Sequence, residues 1–429
     1  MKLDLARNVC VQILYRIDKE GAYSNIILDE YIQKNRDKLN NKDINLISEI
    51  VYGTITWKLT IDYIIQKYSK IKLNKISPWI INILRIGVYQ IIFLDKIPKS
   101  AAVNECVNLT KKYGVKSTGF VNAILRKVSK EDYEKLEELY LKYSMPIWLI
   151  DELKKDYDLN TVEQICKNSN LKPKTTIRVN TLKITEQKLK EELEKNGIEF
   201  EKTKREDFLN VKIKNISECD LFKNGYFTVQ DLSAGMPATI LEPKEGEMVL
   251  DMCSAPGGKT TYMAEIMKNK GTIYACDLYE QRLNLVKENA KRLGIDIIKT
   301  MKWDATVLNE EFIGKFDKIL LDVPCLGIGV LKRKPDIKWQ RKKEDIKEIS
   351  EIQLKILQNC SKYLKKDGEL VYSTCSILKD ENENIISKFL KQSNFEIKKE
   401  ENGDNNKNIS YSILPSEEED GFFICKLKK

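Results

Sequence analysis

The chain of 429 residues contains no histidine. A Ser-His-Asp triad, a histidine-activated cysteine and a His-Glu-x-x-His zinc site are therefore all excluded. Any acid–base chemistry has to use Asp, Glu, Cys, Lys or Tyr side chains, water, or the substrate itself. This restricts the kinds of catalytic site that the other motifs can describe.

Long hydrophobic runs and a secretion signal are also missing. No apolar run approaches 18 residues, and residues 1–7 lack the basic-then-apolar pattern of a signal peptide. The ten cysteines contain no Cys-x-x-Cys pair, so neither a disulfide framework nor a structural zinc site is expected. We therefore expect a cytoplasmic protein that has no membrane segment and no metal.

The length and the charge suggest a multidomain protein with an anionic partner. At 429 residues the chain is long enough for two or three domains. Its 73 Lys and Arg residues outnumber 64 Asp and Glu residues, for a formal charge of +9. This modest excess permits nucleic acid as a partner.

Hydrophobic periodicity divides the chain into three segments. Apolar residues recur at helical spacing up to residue 142, which predicts an all-helical bundle over 1–142. A small α+β subdomain is predicted over 145–225, with a strand at 175–180. Arg178 in that strand is expected to be solvated, and contact with RNA backbone is the alternative.

From residue 226 to 429, strands alternate with helix-length stretches, which is typical of a doubly wound, mostly parallel α/β sheet. The acidic, Asn-rich stretch before residue 421 is expected to be a loose surface loop. The predicted strands are 249–251, 272–277, 297–301, 318–322, 369–373, 394–397 and 421–427.

The first of these strands leads into a glycine-rich turn that suggests a cofactor loop, although an ordinary strand-to-helix turn is the alternative. The turn lacks both Gly-x-Gly-x-x-Gly and the phosphate-binding Gly-x-x-x-x-Gly-Lys-Ser/Thr pattern, which disfavours dinucleotides and nucleoside triphosphates. S-adenosylmethionine, which has an adenosine and a sulfonium but no phosphate, fits better. The candidate cofactor residues in the turn are Cys253, Ser254, Ala255, Pro256, Gly257, Gly258 and Lys259.

Three aspartates stand at or just after later strand ends. Asp277 follows Gly257 by twenty positions, as does the acid that hydrogen-bonds the ribose diol of adenosine-type cofactors. Asp304 follows the third strand and Asp322 ends the fourth. Single aspartates at strand ends usually cap turns, but three beside one cofactor loop favour cofactor binding.

Two cysteines are predicted at the same edge of the sheet. Cys325 follows Pro324 after the fourth strand, and Cys375 follows Thr374 after the fifth. Because ligands bind beyond the carboxyl ends of the strands in such sheets, both thiols are candidates for chemistry on a bound substrate.

Several motifs resemble known families. The amino-terminal 140 residues resemble the NusB-type helical RNA-binding domain, in the segments 21–25, 51–54, 84–90, 97–105 and 120–126. The cofactor loop, Pro324-Cys325, Thr374-Cys375, Lys379-Asp380-Glu381-Asn382-Glu383 and the segment 325–339 resemble the RNA 5-methylcytosine methyltransferases of the NOL1/NOP2/Sun group. The loop has Cys-Ser-Ala where Cys-Ala-Ala is common in that group.

This resemblance implies roles for three residues. Cys375 would be the nucleophile that adds to cytosine carbon 6, Cys325 would assist release or act as a base, and Asp322 would hydrogen-bond the ring at N3. Cys253 is assigned to packing. DNA cytosine-C5 methyltransferases use a Pro-Cys nucleophile, so the residues alone leave the two cysteine roles open.

The resemblance implies S-adenosylmethionine-dependent methylation of cytosine carbon 5 in small-subunit rRNA, and we expect the protein to be a monomer. A tRNA cytosine methyltransferase, a non-catalytic RNA-binding or assembly factor and an NAD-linked oxidoreductase are the alternatives. The basic side chains of 332–343 around Trp339 are expected to contact RNA phosphates and to activate the thiol. The alternative for this stretch is a solvated loop.

Overall fold

The computed structural model describes residues 4–130, 136–400 and 407–429. The chain forms two compact units, Met1–Asn170 with Leu331–Lys342, and Leu171–Val330 with Lys343–Lys429. These units differ from the predicted domains 1–142, 145–225 and 226–429, whose boundaries stay a prediction. Residues 1–3, 131–135 and 401–406, which fall in the first and last predicted domains, lie outside the described residues.

Helices are numbered in chain order over the described residues. They are α1 (Leu5–Glu20), α2 (Ser24–Lys34), α3 (Asn41–Thr56), α4 (Lys58–Tyr68), α5 (Pro78–Phe93), α6 (Lys99–Gly114), α7 (Thr118–Val128), α8 (Leu139–Lys142), α9 (Ile147–Asp156), α10 (Leu159–Asn168), α11 (Glu186–Lys195), α12 (Asp220–Lys223), α13 (Leu232–Leu241), α14 (Gly258–Ile266), α15 (Glu280–Leu293), α16 (Ile337–Gln340), α17 (Asp345–Cys360) and α18 (Glu383–Leu390).

Strands are numbered in the same way. They are β1 (Thr176–Val179), β2 (Phe200–Lys202), β3 (Phe208–Val211), β4 (Phe227–Val229), β5 (Met248–Asp251), β6 (Thr272–Asp277), β7 (Ile298–Lys302), β8 (Phe316–Asp322), β9 (Leu364–Thr374), β10 (Glu396–Ile397), β11 (Ser410–Ile413) and β12 (Phe422–Lys428).

The first unit is a helical bundle built around the apolar helix α5. Most of α5 is buried, because most of its side chains are apolar and other helices of the unit pack around it. Gly53 lets α3 approach α5 closely, since a Cβ there would lie 1.9 Å from a ring carbon of Tyr89. The predicted all-helical fold of this region is confirmed.

The segment 331–342 also packs into this helical unit. Trp339 Nε1 donates to the Ile55 carbonyl at 2.7 Å, and Ser24 Oγ donates to Asp336 at 2.5 Å. Lys338 is 1 % exposed and donates to the carbonyls of Thr56 and Ser144. The prediction that Lys338 contacts RNA phosphate is therefore wrong, because its ammonium group is enclosed by protein acceptors.

The second unit contains a small antiparallel sheet with the strand order β2-β3-β1-β4. Arg178 in β1 is completely buried and forms an ion pair with Glu265 of α14 at 2.8 Å. It also donates to the Gly258 carbonyl at 2.9 Å. The expectation of a solvated or RNA-contacting Arg178 is thus wrong, because this side chain joins the small sheet to the start of α14.

The large sheet of the second unit has the order β10-β12-β9-β8-β5-β6-β7, with β11 paired to β12. Strands β9, β8, β5, β6 and β7 are parallel, and β12 pairs antiparallel with β9. Apolar cores cover both faces, as expected for parallel strands connected by helices. The predicted α/β fold is confirmed, whereas residues 410–413 form a strand in the stretch that was expected to be a loop.

None of the helices within 4–130, 136–400 and 407–429 has the length and hydropathy that a membrane span requires.

Candidate active site

The predicted site residues all lie at or beyond the carboxyl ends of the parallel strands. The loop from Cys253 to Gly257 follows β5, and Gly258 and Lys259 begin α14. Asp277 ends β6, Asp304 follows β7, Asp322 ends β8, Cys325 follows β8 and Cys375 follows β9. One edge of one sheet therefore carries the complete candidate set.

The loop after β5 is held against the end of β6. Ser254 N–H donates to the Cys276 carbonyl at 2.9 Å, and Ala255 N–H points to Asp277 Oδ2 at 3.4 Å. Gly257 has φ of 102°, and a Cβ at that position would lie 3.2 Å from the Val286 Cα. A glycine is required there because the backbone is left-handed and α15 leaves no room.

Two buried polar atoms in this loop region lack a protein partner. They are Asp251 Oδ1, at the end of β5, and Ser254 Oγ. Thr260 Oγ1 donates to the other Asp251 oxygen at 2.7 Å. Buried polar groups without partners often mark a ligand site, and an acceptor with a hydroxyl beside Asp277 fits a ligand that carries amino and hydroxyl groups.

Asp251 makes the stability of the ligand-free protein depend on pH. Burial raises the pKa of Asp251 to about 7, so the folded state holds a proton that the unfolded chain loses near pH 4. As pH rises from about 4 towards 7, this carboxyl ionises in the unfolded chain but stays protonated in the folded protein, so the free energy of unfolding falls. We expect Asp251→Asn to gain stability over the wild type across that range, as measured by urea unfolding at pH 5, 6, 7 and 8.

Thr261→Val is a suitable control for that series, because it removes a nearby buried hydroxyl without changing a charge. A stability difference between Asp251→Asn and the wild type that stays constant from pH 5 to 8 would show that Asp251 titrates normally.

The two cysteines are in direct contact. Cys325 Sγ and Cys375 Sγ are 2.9 Å apart, close enough for one thiol to donate a hydrogen bond to the other sulfur. Contact with Cys375 and burial raise the pKa of Cys325 well above its usual range. Cys325 is therefore a neutral thiol at physiological pH and can serve as the donor of this pair.

Lys259 connects the cofactor loop to the cysteines. Its ammonium group forms an ion pair with Asp322 Oδ2 at 2.7 Å, while Ser373 Oγ donates to Asp322 Oδ1 at 2.9 Å. Burial lowers the pKa of Lys259, but the charges of Asp322 and Cys375 outweigh this effect and raise it. Lys259 thus remains a cation beside Cys375.

The prediction that cations of 332–343 activate the thiol fails for Lys338. Burial lowers the pKa of Lys338 to about 7, and its ammonium group lies among acceptors of the helical unit. Lys259 is the cation whose charge interacts with Cys375.

Comparison with known proteins places the chain in a family. A family model for 16S rRNA methyltransferase RsmB/F matches residues 238–428, a NusB family model matches 4–130, and an RsmF/B-like ferredoxin-like model matches 145–210. The chain is 37 % identical to the probable ribosomal RNA small subunit methyltransferase B of Bacillus subtilis, over the whole of both chains. The chain belongs to the RsmB/F methyltransferase family.

Two solved structures are also similar to this chain. The crystal structure of PH0851 is similar over the full length of both chains, with 29 % identity and a TM-score of 0.84. NSun6 from Pyrococcus horikoshii, solved with SFG, matches 66 % of this chain and 98 % of its own, with 27 % identity and a TM-score of 0.60. The resemblance inferred from the motifs is confirmed, and the chain is an RNA methyltransferase.

Within this RsmB/F chain, two predicted cofactor residues make local contacts. Asp304 Oδ1 accepts hydrogen bonds from the Thr306 N–H at 2.9 Å and hydroxyl at 2.7 Å, which close a turn. Cys253 packs against an apolar core, and burial raises its pKa well above the usual range. The Cys253 thiol therefore stays neutral, and the cofactor role of both residues remains a prediction.

Three polar residues near the RsmB/F cysteines and cofactor loop were missed as site residues. Asp251 ends a strand as Asp277 and Asp322 do, and this shared position was the available signal. Glu381 and Asn382 lie in a motif that resembles the family, but their role depends on contacts across two loops. No local sequence pattern indicates those contacts.

Proposed function

We propose that this protein transfers a methyl group from S-adenosylmethionine to carbon 5 of a cytosine in small-subunit rRNA, through a covalent bond between Cys375 and carbon 6. The observation that carries the proposal is the 2.9 Å contact between the Cys325 and Cys375 sulfurs at the same sheet edge as the cofactor loop. The relative from Bacillus subtilis is named for methylation of small-subunit rRNA.

The cofactor would be held by the loop after β5 and the carboxylate at the end of β6. Asp277 is assigned to the ribose diol, and the partnerless Asp251 Oδ1 and Ser254 Oγ supply further hydrogen-bonding capacity. S-adenosylmethionine would supply an electrophilic methyl group on its sulfonium. The positions of Cys253, Pro256, Gly258 and Asp304 along the same edge are consistent with a shared pocket wall.

Carbon 5 of cytosine is a weak nucleophile, so the chain must first activate it. The Cys375 thiolate forms a bond to carbon 6, and the electron pair of the C5–C6 double bond moves towards carbon 5 and N3. We assign Asp322 the hydrogen bond to the ring at N3: as charge develops there, N3 takes a proton from water, and the carboxylate accepts from the new N3–H until that proton leaves again on methyl transfer. Carbon 5 then takes the methyl group, while the electrons of the broken bond stay on the cofactor sulfur.

Release of the product needs the carbon 5 proton to leave and the C6–S bond to break. The electron pair of the C5–H bond re-forms the double bond, and the C6–S pair returns to Cys375. We assign Cys325 the hydrogen bond to this departing thiolate, because the two sulfurs are in contact. Its raised pKa disfavours a basic role for the neutral thiol, so we assign the carbon 5 proton to water.

The substrate class can be tested directly. The protein is incubated with methyl-labelled S-adenosylmethionine and with separate pools of unmodified small-subunit rRNA and tRNA, and 5-methylcytosine is mapped in each pool. We expect label in rRNA at one position, and none with the Cys375→Ala variant. Label in tRNA alone would establish the alternative tRNA activity, and the absence of label in both pools would overturn the proposed function.

A further inference from the structure

Glu381 lies between the two cysteine-bearing loops. It ends a short 3-10 helix, Lys379–Glu381, and its side chain is completely buried. Glu381 Oε2 accepts the backbone N–H of Leu326 at 2.9 Å, and Glu381 Oε1 accepts the Ser376 hydroxyl. Leu326 follows Cys325 and Ser376 follows Cys375, so one carboxylate binds the neighbour of each cysteine.

Neighbouring side chains hold the same arrangement. Gln353 on α17 donates both to Glu381 Oε2 at 3.1 Å and to the Pro324 carbonyl at 2.9 Å. Asn382 accepts from Thr374 Oγ1 at 2.6 Å and donates to the Ser376 carbonyl at 3.0 Å. The turn that carries Glu381 is thereby attached to both loops through separate hydrogen bonds.

We propose that Glu381 is a positioning residue that fixes the spacing of Cys325 and Cys375 and holds its carboxyl group beside Cys325. The proposal rests on the proposed function, because it explains how two adjacent cysteines serve different steps. The two loops follow different strands, so their spacing has to be fixed by contacts between them. Small displacements of reacting groups lower the reaction rate strongly.

Charged groups around the pair also act on Cys325. Cys325 faces Cys375, Glu381 and Asp322, each of which favours the neutral thiol, and Tyr372 lies nearby as an uncharged group. Lys259 interacts with Cys375 and with Asp322. Contact with Cys375, burial and the Glu381 carboxylate together raise the pKa of Cys325. Glu381 therefore acts on Cys325 through its charge as well as through the hydrogen bonds that it makes with the two loops.

Glu381→Gln tests the charge with little change in shape. Glutamine can still accept from the Leu326 N–H, and the Ser376 hydroxyl can reverse to accept from its amide. We expect kcat to fall at least about tenfold with the KM for S-adenosylmethionine within about twofold of wild type, because Glu381 acts through the cysteines. Glu383→Gln is the matched control, since Glu383 accepts from the exposed Ser412 hydroxyl.

Alkylation of each cysteine provides a readout that a purely structural role would not change. Both variants and the wild type are treated with iodoacetamide from pH 7 to 10, and the Cys325 and Cys375 peptides are quantified by mass spectrometry. Since only the thiolate reacts, we expect Cys325 to react about tenfold faster at pH 8 in Glu381→Gln than in wild type, for a shift of about one pKa unit. Cys325 in Glu383→Gln should match wild type.

Ser376→Ala keeps the Glu381 carboxylate but removes its hydrogen bond to the residue after Cys375. It should lower kcat without accelerating Cys325 alkylation, and it decides the question of spacing if Glu381→Gln does not fold. Wild-type kcat in Ser376→Ala, or wild-type alkylation of Cys325 in a folded Glu381→Gln protein, overturns the proposal. Because alkylation needs no RNA, this result is independent of whether the wild type methylates cytosine.

Discussion

Cys375→Ala is expected to abolish methylation, and Cys325→Ala is expected to accumulate a covalent protein–RNA adduct. Removal of a covalent nucleophile can lower kcat on the order of 10⁶-fold, because no other group replaces the bond it forms. Cys325→Ala retains that nucleophile but loses the thiol that contacts the Cys375 sulfur at 2.9 Å. The adduct should therefore form and should break down slowly.

Denaturing gel electrophoresis with labelled RNA and S-adenosylmethionine measures both outcomes. The double variant Cys325→Ala/Cys375→Ala should give no adduct, and Cys219→Ser should behave as wild type because Cys219 lies in the apolar cluster of the small sheet. An adduct with Cys375→Ala would reverse the two assignments and make Cys325 the nucleophile.

The position of the candidate site could be predicted from sequence because it follows from topology. Asp322, Cys325 and Cys375 each stand at or just beyond the end of an apolar run, and parallel strands bring such ends to one edge. Parallel strands buried on both faces also have near-continuous apolar sequences. The fold, and the edge of the sheet that carries the candidate site, could therefore be predicted from the sequence.

Burial of charged side chains could not be predicted in the same way. Arg178 is buried because Glu265, 87 positions later, provides its ion partner. Lys338 is buried because acceptors from 56 to 170 enclose its ammonium group. Charged side chains are usually exposed to solvent. These two are buried because partners far away in the sequence compensate the loss of hydration.

Glu381 illustrates a second limit of the sequence. Its motif resembles the family, but the motif does not indicate that its carboxylate accepts hydrogen bonds from the residues after two cysteines that lie 50 positions apart. Residues 410–413 show the same limit in a strand, since they pair with β12 although their sequence neighbourhood is polar and acidic. Pairing across the fold, rather than local propensity, determines both features.

Lys259→Met is expected to lower the rate of methyl transfer by about 10²- to 10³-fold, the range seen when one preorganised stabilising donor is removed from an active site. Lys259 is the cation paired with Asp322 at 2.7 Å, and its charge interacts with Cys375. Without it, Cys375 loses the positive charge that interacts with it. Addition of the Cys375 sulfur to carbon 6 should then be slower, because that charge no longer stabilises the sulfur as it reacts.

Single-turnover methyl transfer and iodoacetamide labelling of Cys375 separate this effect from a loss of cofactor binding. Lys259→Arg should recover part of both rates because it keeps the charge. Lys268→Met is the matched control, since Lys268 lies beyond the same helix and pairs with Glu245 on the surface. Wild-type labelling of Cys375 in Lys259→Met would show that Lys259 serves the cofactor loop alone. Slower labelling of Cys375 without RNA would instead establish that Lys259 prepares the nucleophile before the substrate arrives.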